Sequence, residues 1–189
     1  MKNRYDISNE LLILRALSFF VENPYQEIYL REFSRRMGIS LNSSQRFLNK
    51  FLKLGLIVDF RKGNLRYFKA NMESKVFKSI KITFTLNEIE SSGLIRELKD
   101  IGVNYLVLFG SNARGEGDVN SDYDFVIITT NKSKVHEVLS KFRKKINREI
   151  QYQIFNLPEW KRQGRENRAF YEDVIKDGIA LIGEIPLIN

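Results

Sequence analysis

The 189-residue chain is 43% hydrophobic and 29% charged, with a formal net charge of +8. That composition is ordinary for a globular protein of one large or two small domains. It holds no cysteine, which excludes disulfides and thiolate metal sites. No run of eighteen apolar residues occurs and the N-terminus, MKNRYDISNE, has no apolar core, so neither a membrane span nor a signal peptide is expected, and the cytoplasm is the expected compartment.

The charge is uneven. Residues 1–85 hold 16 Lys/Arg against 7 Asp/Glu, and residues 86–189 hold 15 against 16. A basic excess confined to one part of a chain is the electrostatic footprint of a nucleic-acid-binding module, although a solvated Lys/Arg surface gives the same count. This shift places a domain boundary near residue 85, giving two domains, 1–85 and 86–189.

In chain order, Leu11, Leu12, Leu14, Leu17, Phe20 and Val21 follow helical spacing after a candidate cap at Asn9, and Asn23-Pro24 ends that helix. IYLREFSRRMG predicts a short helix with Leu30, Phe33 and Met37 on one face, closed by Gly38. Ser40 or Asn42 then caps a third helix with Phe47, Leu48, Phe51 and Leu52 inward, ended by Gly55. Two short helices around Gly38-Ile39-Ser40 match a helix-turn-helix, whose second helix presents its N-terminal side chains to base edges. Here these are Asn42, Ser43, Gln45 and Arg46, with Asn49 and Lys50 one turn on. LIVDFRKGNLRYFKA reads as two strands around Lys62-Gly63-Asn64, a hairpin. Arg61, Lys62, Arg66 and Lys69 on it can meet phosphates. The order of three helices and a hairpin over residues 9–70 resembles the winged-helix family of DNA-binding regulators. The resemblance implies duplex DNA as a partner and a homodimer on two half-sites; a dimerisation or protein-docking module is the competing use of the same fold.

Residues 73–80 read as a helix or an extended strap, and 87–100 as a helix ended by Gly102. In the second half, strands are predicted at 104–109, 123–129, 149–155 and 179–182, with helices at 88–100, 132–146 and 158–176. The predicted fold class is α+β, an N-terminal winged helix-turn-helix followed by an α/β domain with a small mixed sheet.

The strongest signal is VNYLVLFGSNARGEGDVNSDYDFVIITT, an apolar strand, a Gly110-Ser111 turn, Arg114-Gly115, then Ser121-Asp122-Tyr123-Asp124 running into a second apolar strand. A Gly-Ser turn lets backbone N–H groups and a hydroxyl approach phosphates, because glycine has no side chain in the way. Arg114 can supply charge to phosphate oxygens. Two Asp at i and i+2 of a strand share a face, so Asp122 and Asp124 can share one hard cation.

The string G-S-x-A-R-G-x5-S-D-x-D resembles the signature of the polymerase-β-type nucleotidyltransferases, most closely their minimal prokaryotic branch. The resemblance implies a nucleotide site at Gly110, Ser111, Arg114, Gly115 and Ser121. It makes Asp122 and Asp124 catalytic and metal-binding, with Mg2+ or Mn2+ and a nucleoside triphosphate, ATP first, as cofactors. The branch includes antitoxin-like proteins that modify partner proteins, which makes a protein acceptor one expectation beside a nucleic acid.

Active members carry a third carboxylate on a later strand. Here that strand is REIQYQIFNL, with Gln151 and Gln153 predicted inward and Tyr152 and Ile154 on the other face. Glu149 shares the face of the glutamines but lies two residues, about 6.6 Å, along the strand. Gln cannot serve as a charged ligand or strong base. Arg162, Arg165 and Arg168 and the KFRKKINR stretch at 141–148 read as solvated, His136 as a helix-surface residue and Trp160 as core. Three functions remain open: a DNA-binding regulator that transfers a nucleotidyl group, a catalytically inactive regulator responsive to nucleotide, and a docking or dimerisation module unrelated to DNA.

Overall fold

The computed structural model describes residues 7–146 and 148–188. The chain divides into two compact units, Met1–Ile80 and Lys81–Asn189.

The first unit runs α1 (Ile7–Glu22), β1 (Ile28–Tyr29), α2 (Leu30–Met37), α3 (Leu41–Lys53), β2 (Ile57–Lys62) and β3 (Leu65–Ala70). This is the predicted winged arrangement with one addition. Ile28–Tyr29 is not the start of a helix but a two-residue strand, paired antiparallel with Phe68 and Tyr67 of β3, so the small sheet has the order β1-β3-β2. Ile28 is β-branched and fully buried, and the side of a hairpin supplies the ladder its backbone needs.

α1 is already helical at Ile7, so Asn9 lies inside it rather than at its cap. Of the residues at helical spacing, Leu17, Phe20 and Val21 are buried, with Ala16 and Phe19 beside them, while Leu11, Leu12 and Leu14 are exposed. Phe20 stacks on Phe33 at 5.6 Å and meets Phe51 edge-on at 6.3 Å, so one aromatic cluster ties α1, α2 and α3 together. Ser40, not Asn42, caps α3: its side chain accepts from the Ser43 N–H at 3.1 Å.

The second unit begins within α4 (Lys75–Ser92). The single helix predicted at 88–100 is two. Gly93, at φ 84°, breaks it, and α5 (Leu94–Asp100) starts anew with the Ser92 hydroxyl accepting from the Leu94 N–H. Then follow β4 (Tyr105–Phe109), α6 (Gly110–Ala113), β5 (Tyr123–Ile128), α7 (Lys132–Ile146), β6 (Ile150–Phe155), α8 (Leu157–Glu166), α9 (Arg168–Asp177) and β7 (Ile179–Ile182). The predicted helix 158–176 is likewise divided, at Asn167, whose side chain accepts from the Phe170 N–H and caps α9.

The sheet order is β6-β5-β4-β7, with β5–β6 parallel and the other pairs antiparallel, a small mixed sheet as predicted. Alternation along β4 and β5 builds two cores. Leu106, Leu108, Tyr123, Phe125 and Ile127 pack with Leu94 and Leu98 of α5 and Val135, Leu139 and Phe142 of α7. Val107, Val126 and Ile128 pack on the other face with Trp160 of α8 and Val174 of α9. Trp160 is 1% exposed and donates its indole N–H to the Pro186 carbonyl at 2.6 Å. Among the described residues no helix is long and apolar enough to cross a membrane.

Candidate functional site

β5 is the central strand of the site. Asp124 sits opposite Phe109 of antiparallel β4 and beside Gln151 of parallel β6. Phe109 runs straight into α6, so Gly110 is held against Asp124. A Cβ on Gly110 would stand 2.3 Å from Asp124 Oδ2, and its φ of 73° already disfavours any side chain. The glycine of the Gly-Ser turn is therefore required by the carboxylate as well as by the turn.

Asp122 shares the face of Asp124, as the i, i+2 spacing predicts. Burial pushes the Asp124 carboxyl above its usual range, the Asp122 charge pushes it the same way, and Arg114 opposes. An under-neutralised carboxylate pair of this kind is relieved by a cation.

Gln151 and Gln153 lie on the Asp face, but they are exposed rather than inward. β6 is an edge strand, and the glutamines stand on the part of its face that carries no hydrophobic cover. Tyr152 and Ile154 pack on the opposite core. Gln151 is more than a neighbour: its amide donates to Asp122 Oδ2 at 2.8 Å. Glu149 is turned to an ion pair with Arg143. Among the described residues no group of three His, Cys, Asp or Glu is arranged to hold a metal ion, so the site offers two carboxylates and an amide.

The other candidate residues divide by what already holds them. Ser111 flanks Gly110 at half exposure, and Gly115 is buried. Arg114 donates to Glu116 at 2.9 Å and lies 3.8 Å from Asp177; the Glu116 hydrogen bond first, then these carboxylates, hold its guanidinium protonated. The Ser121 hydroxyl is engaged in the 118–121 turn, where it accepts from the Asp118 N–H at 2.8 Å and donates to Asp118 Oδ1 at 3.1 Å.

Residues given no role at the site from the sequence fasten the segments around the pair. Buried Asn112 donates to the Asp122 carbonyl at 2.6 Å and so fastens α6 to the entrance of β5. A Cβ on Gly117 would stand 2.6 Å from Asn112 Oδ1, so the loop is packed against that amide. Arg148 donates to the Asp118 carbonyl at 3.3 Å and lies 5.2 Å over the ring of Tyr123, whose hydroxyl donates to Glu88 at 2.6 Å. Burial and the Glu88 bond raise the Tyr123 hydroxyl and keep it protonated. Burial lowers buried Lys81 to about 8; the Asp118 charge opposes it and Arg148 adds a smaller push the same way as burial. Nothing in the sequence pattern marks Asn112, whose position is the variable one of the motif. Arg148 is hidden in a run read as solvated.

In the first unit, Asn42, Arg46, Asn49 and Lys50 are exposed on α3, while Ser43 and Gln45 are half-exposed. Gln45 donates to Asn49 at 3.1 Å, and Arg46 lies 5.3 Å from the Phe47 ring. On the hairpin Arg61 is exposed, but Lys62 pairs with Glu27, and Arg66 donates to Asp59 at 2.7 Å. Two of the phosphate-contacting candidates thus already have carboxylate partners. Lys69 lies 5.6 Å from the Phe60 ring. Arg162 and Arg168 face Glu166 and Glu172 at the surface of α8 and α9. His136 is exposed and shares a hydrogen bond with the Tyr152 hydroxyl at 2.9 Å.

Among solved structures, the chain is similar to a toxin-antitoxin with AMP-PNP, at 19% identity over 52% of this chain and 73% of that one, with a TM-score of 0.37. It is similar to HmgR of Pseudomonas aeruginosa, at 18% over 55% and 43%, with a TM-score of 0.30. It is also similar to TrmBL2, an archaeal chromatin protein with a novel mode of DNA binding, at 10% over 89% and 71%, with a TM-score of 0.30. No curated protein matches it. The stretch that contains Gly110, Asn112, Asp122, Asp124 and Gln151, residues 91–177, matches the family described as the nucleotidyltransferase domain.

Proposed function

We propose that this protein is a DNA-binding regulator whose second unit binds a divalent-cation complex of a nucleoside triphosphate, ATP first, and transfers its nucleotidyl group to a protein or nucleic-acid acceptor. The observation that carries the catalytic half is the Asp122–Asp124 pair, facing one way beside Gly110, with the Asp124 carboxyl raised by burial and by its neighbour. Hard carboxylate oxygens fit Mg2+ or Mn2+, and Asp122 and Asp124 are the residues that would hold it. When bound, such an ion supplies charge stabilisation to phosphate oxygens. The chain's own residues do the rest. Gly110 lets the turn lie against the Asp124 carboxylate, and Ser111 offers the nucleotide's phosphates a hydroxyl. Arg114 contributes positive charge after exchanging Glu116 for phosphate. Asn112 holds the pair in place.

The test is incubation with Mg2+ or Mn2+ and each α-labelled nucleoside triphosphate, beside an Asp122→Asn/Asp124→Asn variant. Label transferred by the native chain and lost in the variant supports the reading, and the labelled species is the acceptor. One observation favours a second reading: the amide of Gln151 bonds Asp122, and Gln151, with Gln153, stands on the strand where the resemblance implies a third carboxylate. A chain that binds nucleotide through the pair without transferring it is a nucleotide-responsive regulator.

The exposed face of α3, with Asn42, Arg46, Asn49 and Lys50, and exposed Arg61 on the hairpin support duplex DNA as the partner of the first unit, with a homodimer on two half-sites. Affinity for duplex is expected to fall steeply with salt, and replacing Arg61 by Ala to lower the log–log slope by about 0.9 per lost phosphate contact. A duplex affinity absent at low salt removes the regulator, and a monomer by sedimentation removes the dimer.

A further inference from the structure

The small sheet of the first unit has two faces of different character. Ile57, Ala70, Phe68 and Ile28 share one face and are buried. The pairing register puts Phe60, Tyr67 and Tyr29 side by side on the other, one ring from each strand. Phe60 lies 6.1 Å from Tyr67, and Tyr67 lies 5.8 Å from Tyr29. Lys62 and Leu65 are the next pair on this face toward the hairpin tip, and Val58 and Lys69 the next toward its base. Beyond Val58 and Lys69 the face continues into an open depression of about 330 Å3, bordered also by Tyr25, Met72 and Glu73. Tyr25 is 65% exposed and Leu65 48%. Tyrosine, phenylalanine and methionine gathered on one accessible surface are the composition of a protein–protein contact. Arg61 and Arg66 pair on the opposite face of the hairpin, so this surface is distinct from the one that Arg61 offers to duplex DNA.

The charges on this face select what it fits. Residues 1–85 hold 16 Lys/Arg against 7 Asp/Glu, so two copies of the unit repel wherever that excess is presented. Here the charges balance. Lys62 pairs with Glu27. Lys69 and Glu73 are both exposed and border the same depression, yet among the described residues neither forms an ion pair. One unmatched cation and one unmatched carboxylate on an apolar face are self-complementary. Across a two-fold axis each meets its opposite on the other copy, and the contact closes at two copies.

We propose that two copies of this chain join through the outward face of the hairpin sheet, related by a two-fold axis, with Lys69 of each copy against Glu73 of the other. This rests on the reading of the protein as a homodimer and names the surface that makes it. Tyr25, Val58, Phe60 and Tyr67 form the apolar centre of the contact. The crossed Lys69–Glu73 pairs at its rim set the register and the choice of partner.

Sedimentation equilibrium of the full chain, with charges exchanged, tests it. Lys69→Glu alone and Glu73→Lys alone each set like charges across the axis, and each is expected to raise the dimer dissociation constant about tenfold or more. Mixed one to one, the two variants regain both crossed pairs in a heterodimer, and the dissociation constant is expected to return toward the native value. The double exchange Lys69→Glu/Glu73→Lys in one chain is expected to do the same. Both positions are exposed, and thermal melts that match the native chain show the fold intact. Dimerisation that neither single substitution moves, or single variants that stay monomeric when mixed, overturns the proposal. So does a dimer lost only in Leu11→Glu/Leu14→Glu, which would assign the contact to the exposed leucines of α1. These outcomes leave the homodimer standing on another surface, whereas a native chain that sediments as a monomer at every concentration removes the homodimer and this face with it.

Discussion

Replacing Gly110 by Ala tests the site through one added atom. The new Cβ would lie 2.3 Å from Asp124 Oδ2 and 3.1 Å from its Cγ, so the carboxylate must retreat by about 1 Å to reach ordinary van der Waals separation. The backbone at φ 73° costs an alanine about 1–2 kcal/mol on its own. Gly102→Ala separates the two effects. Its φ is 82°, yet nothing lies within 4 Å of its added Cβ, so it bears the backbone cost without the collision. In urea unfolding Gly102→Ala is expected to lose about 1–2 kcal/mol, and Gly110→Ala at least as much. Only Gly110→Ala is expected to lose nucleotidyl transfer, or metal-dependent nucleotide binding, by on the order of 100-fold, because a misplacement of about 1 Å in a reacting constellation has that effect. Native activity in Gly110→Ala, or an equal loss in Gly102→Ala, refutes the claim that the turn sets the carboxylate's position.

Other outcomes follow from the same geometry. Asp124 is raised in the folded chain, so its ionised form destabilises the fold at pH above the folded pKa, and that cost fades as pH falls below the unfolded value of about 3.9. Asp124→Asn is therefore expected to melt above the native chain at pH 7 without divalent ions, the gap closing in acid; Mg2+ is expected to raise only the native melting temperature, and a variant that melts lower at pH 7 contradicts this. Gln151→Glu places a third carboxylate beside Asp124 in the β5–β6 register; Mn2+-dependent transfer is expected to rise roughly tenfold or more, and unchanged transfer would show that the amide is no handicap. Trp160→Ala removes a side chain 1% exposed together with its bond to Pro186, and a loss of about 3–5 kcal/mol in denaturant unfolding is expected; a loss below about 1 kcal/mol would place Trp160 outside the core of the second unit.

Much of this was legible in the chain because it rests on local rules. Gly38, Ser40 and the apolar period that places Phe33, Phe47 and Phe51 inward act within a turn or two of helix. The i, i+2 spacing puts Asp122 and Asp124 on one face of whatever strand carries them. The place of the Gly-Ser turn between two strands is read from the apolar runs that flank it.

Tertiary structure decided what depends on partners distant in sequence. The strand at Ile28–Tyr29 exists because β3 is beside it, and two residues carry too little periodicity to announce that. Leu11, Leu12 and Leu14 satisfy helical spacing, yet which side of α1 is covered depends on where α2 and α3 lie. The breaks at Gly93 and Asn167 turn on backbone and capping choices that an apolar period passes over. Gln151 could be placed on the Asp face by alternation, but its exposure and its bond to Asp122 required the parallel register of β6 against β5. The sequence by itself determined that two carboxylates would face one way beside a Gly-Ser turn, since that follows from strand geometry. Only packing could decide that Asn112 fastens the turn to the Asp122 carbonyl and that Arg148 anchors the 118–121 loop, because those contacts join segments the chain brings together only when folded.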